Sequence, residues 1–292
     1  MRFRTQLSLM VFITLMPLLA AADEPKPVLV DDPQIRISRN HAMLSLTPQQ
    51  ADTVGRQVWQ NETGGNRDAI TAWNGAENFA SLGIGHFIWF PTGLNSPFKE
   101  SFPTLLKYLQ KRGANLPRWL DASPIPPCPW NDRAEFKRHF HQPRMTELRE
   151  FLLATVGLQA EFLVLRMQAA LPDIIASTTD DDEKQHLHQQ FNRVANASPD
   201  LYPLIDYINF KGEGTSQKEQ YPNHQTGQPE GWGLKHVLLE MRGTSGDMST
   251  VLAEFSNAAG QVLKRRVKNN PPNKRWLKGW LVRTKTYRYP LK

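Results

Sequence analysis

A helix that ends on a carboxylate and runs straight into a glycine-rich hairpin constrains this chain more than any other feature. Thr47-Pro48-Gln49-Gln50 reads as a helix start. Thr can cap, Pro fits the first helical position, and Gln three residues after the cap can bond back to it. Ala51, Val54, Val58 and Glu62 recur at spacings of three or four and share one face. That stripe is apolar until it reaches Glu62. Gly64-Gly65 should stop the helix. After a polar loop, Phe79 to Phe90 alternates imperfectly around Gly83-Ile84-Gly85-His86, as a short curved strand pair does.

The rest of the chain is mostly helical in pattern. Helices are expected over 102–113, 143–171 (with Gly157 as a break), 180–195, 231–241 and 249–268, and residues 276–289 close the chain. Residues 114–131 hold five prolines and should be irregular. Residues 216–230 are polar and read as a mobile loop. The fold class is therefore α+β, mainly α-helical, with a small hairpin sheet.

Residues 1–22 read as a secretory signal: Arg2 and Arg4, an apolar run from Leu7 to Leu19, then Ala20-Ala21-Ala22. Residues 23–46, rich in Pro, Asp and Arg, read as a leader arm or linker, and 47–292 as one domain. The expected location is exported, periplasmic or secreted, and the expected state is a monomer. Cys128 is the only cysteine, so no internal disulfide can form and stability must come from packing. The formal net charge is +7. Residues 261–292 hold 11 Lys or Arg and no Asp or Glu. Such a segment suits an anionic envelope surface. No nucleic-acid-binding motif is present, and nucleic acid is not an expected partner.

Glycoside cleavage asks for a proton on the leaving oxygen and stabilisation of a developing cation, work that two carboxyls usually share. The acid must stay protonated near neutral pH. Glu62 continues an apolar stripe and lies near a helix C-terminus. Burial and the helix dipole should both push its carboxyl up.

The segment 47–90 resembles the catalytic entry of the lysozyme-like superfamily. Phage-type lysozymes carry a helix-borne Glu, a loop acid and a hairpin ending in Thr-x-Gly-x-Gly-His; here stand Glu62 and Ser81-Leu82-Gly83-Ile84-Gly85-His86. Glu62-Thr63-Gly64-Gly65-Asn66 also resembles the Glu-Ser-Gly-Gly-Asn motif of lytic transglycosylases and goose-type lysozymes. The resemblance implies a lysozyme-like fold, a peptidoglycan substrate and Glu62 as general acid. It also implies that 159–171 form a central buried helix. The chain departs from the pattern at the loop acid. Six residues before Ser81 stands Gly75, between Asn74 and Ala76. Glu77 is the nearest substitute and Asp68 the next. A single acid would suffice for a lytic transglycosylase.

A second constellation is Asn209-Phe210-Lys211-Gly212-Glu213-Gly214-Thr215. Its glycines would allow close backbone approach to a ligand. Glu213 could supply the second carboxyl, held ionised by Lys211. Trp73, Trp89 and Trp232 are candidate flat platforms for sugar rings. Asn74, Ser81 and His86 complete the expected substrate-binding set. No metal or cofactor is expected, since neither His86 nor the His139/His141 pair has ligand partners at suitable spacing. Two alternatives stay open: a chitosanase-like hydrolase, and a non-catalytic periplasmic glycan-binding protein that keeps the fold.

Overall fold

The computed structural model describes residues 44–292 apart from Ala76 and Pro97. The expected signal segment and most of the leader arm lie outside the described residues.

Helix α1 (Pro48–Thr63) forms as its sequence dictates. The Thr47 side chain accepts from the Gln50 N–H, the Gln50 side chain accepts from the Thr47 N–H, and Gly64 ends the helix with φ 66°. Ala51, Val54 and Val58 are buried along the expected stripe. Strands β1 (Thr71–Ala72), β2 (Ala80–Leu82) and β3 (Phe87–Trp89) then form an antiparallel sheet in the order β1-β2-β3, with Thr71 opposite Leu82 and Ala80 opposite Trp89.

Helices α2 (Phe102–Lys111), α3 (Arg133–Arg138), α4 (Pro143–Ala154), α5 (Val156–Ala176), α6 (Asp181–Ala197) and α7 (Tyr202–Lys211) follow. After them come β4 (Gln220–Pro222), β5 (Pro229–Gly231), α8 (Leu234–Glu240), α9 (Met248–Asn269) and α10 (Lys274–Lys285). The molecule is mainly helical, with a three-stranded and a two-stranded antiparallel sheet.

Helix α5 is the central element and packs against α1, α2, α6 and α7. Its inward residues Ala160, Phe162, Leu163, Val164, Met167, Ala170 and Ile174 are buried. The break between α4 and α5 falls at Thr155 rather than at Gly157. Helix α1 approaches α5 closely at Gly55. A Cβ there would lie 2.7 Å from both Cγ1 and the carbonyl oxygen of Val156.

Gln159, fully buried on α5, fixes the sheet to this core. Its Oε1 accepts from the Ile84 N–H at 3.0 Å, and its Nε2 donates to the Leu152 carbonyl at 2.7 Å. Gly83 has φ 70°, and a Cβ there would stand 2.4 Å from Gln159 Oε1. The glycine-rich turn is thus required by the close docking of the hairpin on α5. His86 leaves that turn with φ 48°.

The polar stretch 216–230 is ordered into the β4–β5 hairpin, contrary to the expected mobile loop. Asn223 Oδ1 accepts from the N–H groups of Gln225 and Thr226, an Asx-type turn that Gly227 completes with φ 71°.

The glycines around Glu213 and Trp232 also differ in use from the expected ligand cradle. They pack against one another and against His236 on α8. A Cβ on Gly231 would lie 2.0 Å from His236 Cε1, and one on Gly233 would lie 2.1 Å from the Gly214 nitrogen. Burial, with Lys235 and Arg265 nearby, pushes the His236 imidazole down to about 4.

The unfolded chain then takes up a proton near pH 6.5 that the folded chain refuses until about pH 4. Stability should therefore fall as pH drops through this window, by about 2 kcal/mol between pH 7 and pH 5 from this residue. Urea unfolding of wild type and His236→Gln at both pH values checks this. The variant should lose that part of the slope, and an unchanged slope would show that His236 is not its source.

Cys128 is buried beside the sheet, and burial raises its thiol to about 12, which suits a packed side chain rather than a nucleophile.

Candidate active site

Glu62 lies one residue before the end of α1, and its side chain is only 4% exposed. Three distant elements meet it. Arg283 on α10 donates from Nη2 to Oε1 at 2.7 Å. Asn209 on α7 donates from Nδ2 to the same oxygen at 3.2 Å. His86 Nδ1, at the hairpin turn, is 3.9 Å from Oε2.

Arg283 is in turn anchored by Asp206 on α7, which is fully buried. Arg283 donates from Nε to Asp206 Oδ2 and from Nη2 to Oδ1, both at 2.8 Å. The Tyr287 hydroxyl donates to Asp206 Oδ2 at 2.6 Å, and Asn61 Nδ2 donates to Oδ1 at 3.1 Å. Asn61 precedes Glu62 on α1, so the network ties the helix carrying Glu62 to α7 and to the C-terminal helix.

This network reverses the electrostatics expected for Glu62. Burial does push its carboxyl up, as its largest single influence. Arg283, His86 and Lys211 together outweigh burial and hold Glu62 below the usual carboxylate value. In the free protein Glu62 is an ionised group paired with a guanidinium, not a resting acid.

Glu77 has the opposite character. It sits half-buried in the loop between β1 and β2. Asn74 Nδ2 donates to its Oε2 at 2.9 Å and Ser81 Oγ donates to the same oxygen at 3.2 Å. Burial raises the carboxyl; the two hydrogen bonds and the charge of His86 oppose that rise without cancelling it. His86 thus acts on both carboxylates.

Asn74 and Ser81, expected to meet substrate, hold Glu77 instead. Asp68 is exposed and lies 3.4 Å from the buried Arg149 guanidinium, so it serves that ion pair.

Lys211 joins the Glu62 cluster, not a pair with Glu213 as the sequence suggested. Its Nζ lies 3.8 Å from the centre of the Phe210 ring and 3.8 Å from that of Trp280. Burial, Arg266 and Arg283 push its ammonium well down, and Glu62 works against them. Glu213 lies on the turn after α7, where its carbonyl accepts from the Lys235 N–H at 2.8 Å. It is not among the principal charges on Glu62 or Glu77.

The three tryptophans expected as sugar platforms are buried. Trp73 packs against Phe136, and Trp89 sits among Phe102, Trp119 and Trp130. Trp232 is covered by Tyr221 and by the Arg266 guanidinium, 3.8 Å from its ring centre. Their faces are spent on core packing. Near the site, the partly exposed Trp276 stacks on Trp280 with ring centres 6.0 Å apart.

The basic C-terminal segment is likewise not one solvated face. Arg266 and Arg283 are buried, and Arg265 pairs with Glu230 and Glu240. Eight of the 11 cations remain exposed, among them Lys274, Lys278 and Lys285 on α10.

Among the described residues no cluster of three or more His, Cys, Asp or Glu has the geometry to hold a metal, and no helix is long and apolar enough to cross a membrane.

Sequence reasoning missed Arg283, Asp206 and Tyr287, although signals for them exist. Trp276, Trp280, Arg283 and Tyr287 are spaced four, three and four apart, so an arginine sits on an apolar helix face. Asp206 is the lone charge inside Tyr202 to Phe210. A charge in such surroundings needs a buried partner.

Comparison of the chain with family models, with curated proteins and with solved structures returned no match.

Proposed function

We propose that this chain is an exported enzyme that cleaves the glycan of the cell wall, with Glu62 and Glu77 dividing the chemistry. The observation that carries this reading is the pair of carboxyls under one histidine. One is pushed down by Arg283 and the other is pushed up by burial. Two titratable groups driven apart by their surroundings are how a single site runs acid and base chemistry at one pH.

Glu77, the more readily protonated, gives its proton to the glycosidic oxygen as the C–O bond breaks and the bonding electrons pass to that oxygen. Glu62, ionised, stabilises the positive charge that develops on the sugar. This exchanges the role first assigned to Glu62. Arg283 and Asn209 fix the carboxylate in place. Such preorganised charge is a large part of catalysis in a site that excludes water.

The export assignment rests on residues 1–22. The resemblance over 47–90 supports peptidoglycan as the substrate class.

A second reading, glycan binding without cleavage, draws support from one fact: Glu62 is already neutralised by a buried arginine.

Leaving-group dependence tests the division of labour. Glu77→Gln should lower turnover of a native oligosaccharide about 10²–10⁴-fold, the usual worth of a general acid. Turnover of a nitrophenyl chitooligosaccharide, whose leaving group needs no proton, should fall far less. Equal losses on both substrates would remove Glu77 as proton donor.

A further inference from the structure

The outer face of α10 carries cations that the fold leaves unpaired. Lys274, Lys278, Val282 and Lys285 follow one another at spacings of four, four and three, which puts them on one helix face about 16 Å long. All four are exposed, whereas Trp280, Arg283 and Thr284 on the opposite side are buried. Arg265 and Arg283, in the same basic segment, pair with Glu230, Glu240, Glu62 and Asp206; Lys274, Lys278 and Lys285 form no salt bridge among the described residues. A solvated helix face usually sets acids four residues from its lysines, and like charges at that spacing, as at Lys274 and Lys278, weaken the helix. Here the last acid in the chain is Glu254. Apolar side chains stand among the cations. Val282 is 59% and Tyr289 71% exposed, the two highest values for large hydrophobics among the described residues. Tyr289 is displayed from an anchored stretch, because the Leu291 N–H donates to the buried Asp200 at 2.7 Å.

We propose that this face of α10, with Tyr289 beyond it, docks on an anionic phospholipid surface. The lysines reach the headgroup phosphates, which supply the acids that the helix lacks and relieve the repulsion between them. Val282 and the Tyr289 ring settle below the phosphates, where apolar side chains leave water and a tyrosine keeps its hydroxyl wet. The apolar pair is what favours lipid over a hydrated polyanion, which offers nothing for a valine to enter. No described helix crosses a membrane, so the contact is peripheral. The same helix presents Arg283 to Glu62 from its inner side, so docking leaves that network in place. The proposal goes beyond the glycan-cleaving reading and does not depend on it.

Vesicle cosedimentation tests it. The chain beginning at Asp23 is used, since it keeps every described element and lacks the apolar run Leu7–Leu19, which would hold lipid by itself. Wild type should bind vesicles of phosphatidylcholine with one third phosphatidylglycerol at least tenfold more tightly than phosphatidylcholine alone, and the difference should shrink as salt rises. Lys274→Gln, Lys278→Gln and Lys285→Gln combined should lose about a hundredfold, at about fivefold per cation. Lys107→Gln, Lys111→Gln and Lys137→Gln combined remove the same charge from exposed positions on α2 and α3 and should keep most of the binding. Val282→Ser with Tyr289→Ser should lose severalfold on the vesicles. All these positions are exposed, so the melting temperature should hold. Equal binding of wild type to both vesicles, or to neither, overturns the proposal. Equal losses in the two lysine sets would mean that net charge acts, not this face. Isolated peptidoglycan is the remaining arm. If the α10 lysine set loses as much there as on vesicles, and Val282→Ser with Tyr289→Ser changes neither, the face takes a hydrated polyanion and the assignment to lipid is wrong.

Discussion

Asp206→Ala is expected to cost about 3–5 kcal/mol of folding stability, the usual penalty for breaking a buried charge pair from one side. Asp206 is fully buried and accepts four hydrogen bonds, two from Arg283 and one each from Tyr287 and Asn61. Its removal leaves the Tyr287 hydroxyl without this acceptor and leaves the buried Arg283 guanidinium with Glu62 in place of two carboxylates. These groups belong to α10, to the turn after it and to α1, so the loss should loosen the attachment of the whole C-terminal segment. Urea unfolding followed by circular dichroism measures the cost. A loss below about 1 kcal/mol would mean that Arg283 finds another partner or water, and that Asp206 does not hold the site together.

Glu62→Gln should separate activity from stability. The amide oxygen can still accept from Arg283 and Asn209, and Arg283 keeps both of its bonds to Asp206. Stability should therefore change by no more than about 1–2 kcal/mol, the scale of a single charged hydrogen bond. Turnover should fall by about 10³-fold or more, since the fixed negative charge opposite the developing cation is gone. Comparable circular dichroism spectra and melting curves, taken beside the rates, make the comparison fair. A variant that keeps most of its turnover would show that the Glu62–Arg283 pair is architecture alone.

The parts of this fold that could be read in advance are those fixed by near neighbours. Thr47, Pro48 and Gln50 build a cap from residues three apart, and Gly64 ends the same helix by taking a left-handed conformation. Gly83 and Gly85 mark the hairpin because no other residue lets that turn approach α5. The β4–β5 hairpin was missed: the polarity of 216–230 suggested a mobile loop, although Asn223 and Gly227 carry its turn chemistry.

The site was legible only in half. Glu62, Glu77, His86 and Lys211 were singled out by their settings, and the structure brings Glu62, His86 and Lys211 together, with Glu77 under the same histidine. Its electrostatics were not legible. Burial and a helix end, both visible locally, argue for a raised Glu62. The arginine that reverses the sign is 221 residues away in the chain. Trp73, Trp89 and Trp232 failed as platforms for a similar reason. A tryptophan beside glycines looks exposed until its core neighbours are known, and for Trp89 these include Trp119 and Trp130.

Mass spectrometry of purified, insoluble peptidoglycan before and after incubation tests the central claim most directly. Wild type should release soluble glycan fragments with newly formed ends. Reducing ends would mark hydrolysis with both carboxyls, and anhydro ends would mark attack by the sugar's own hydroxyl. Glu62→Gln, shown to be folded, should release almost none. Fragments from the variant in wild-type amounts, or none from wild type while it still sediments with the walls, would contradict the account and leave a glycan-binding protein in its place.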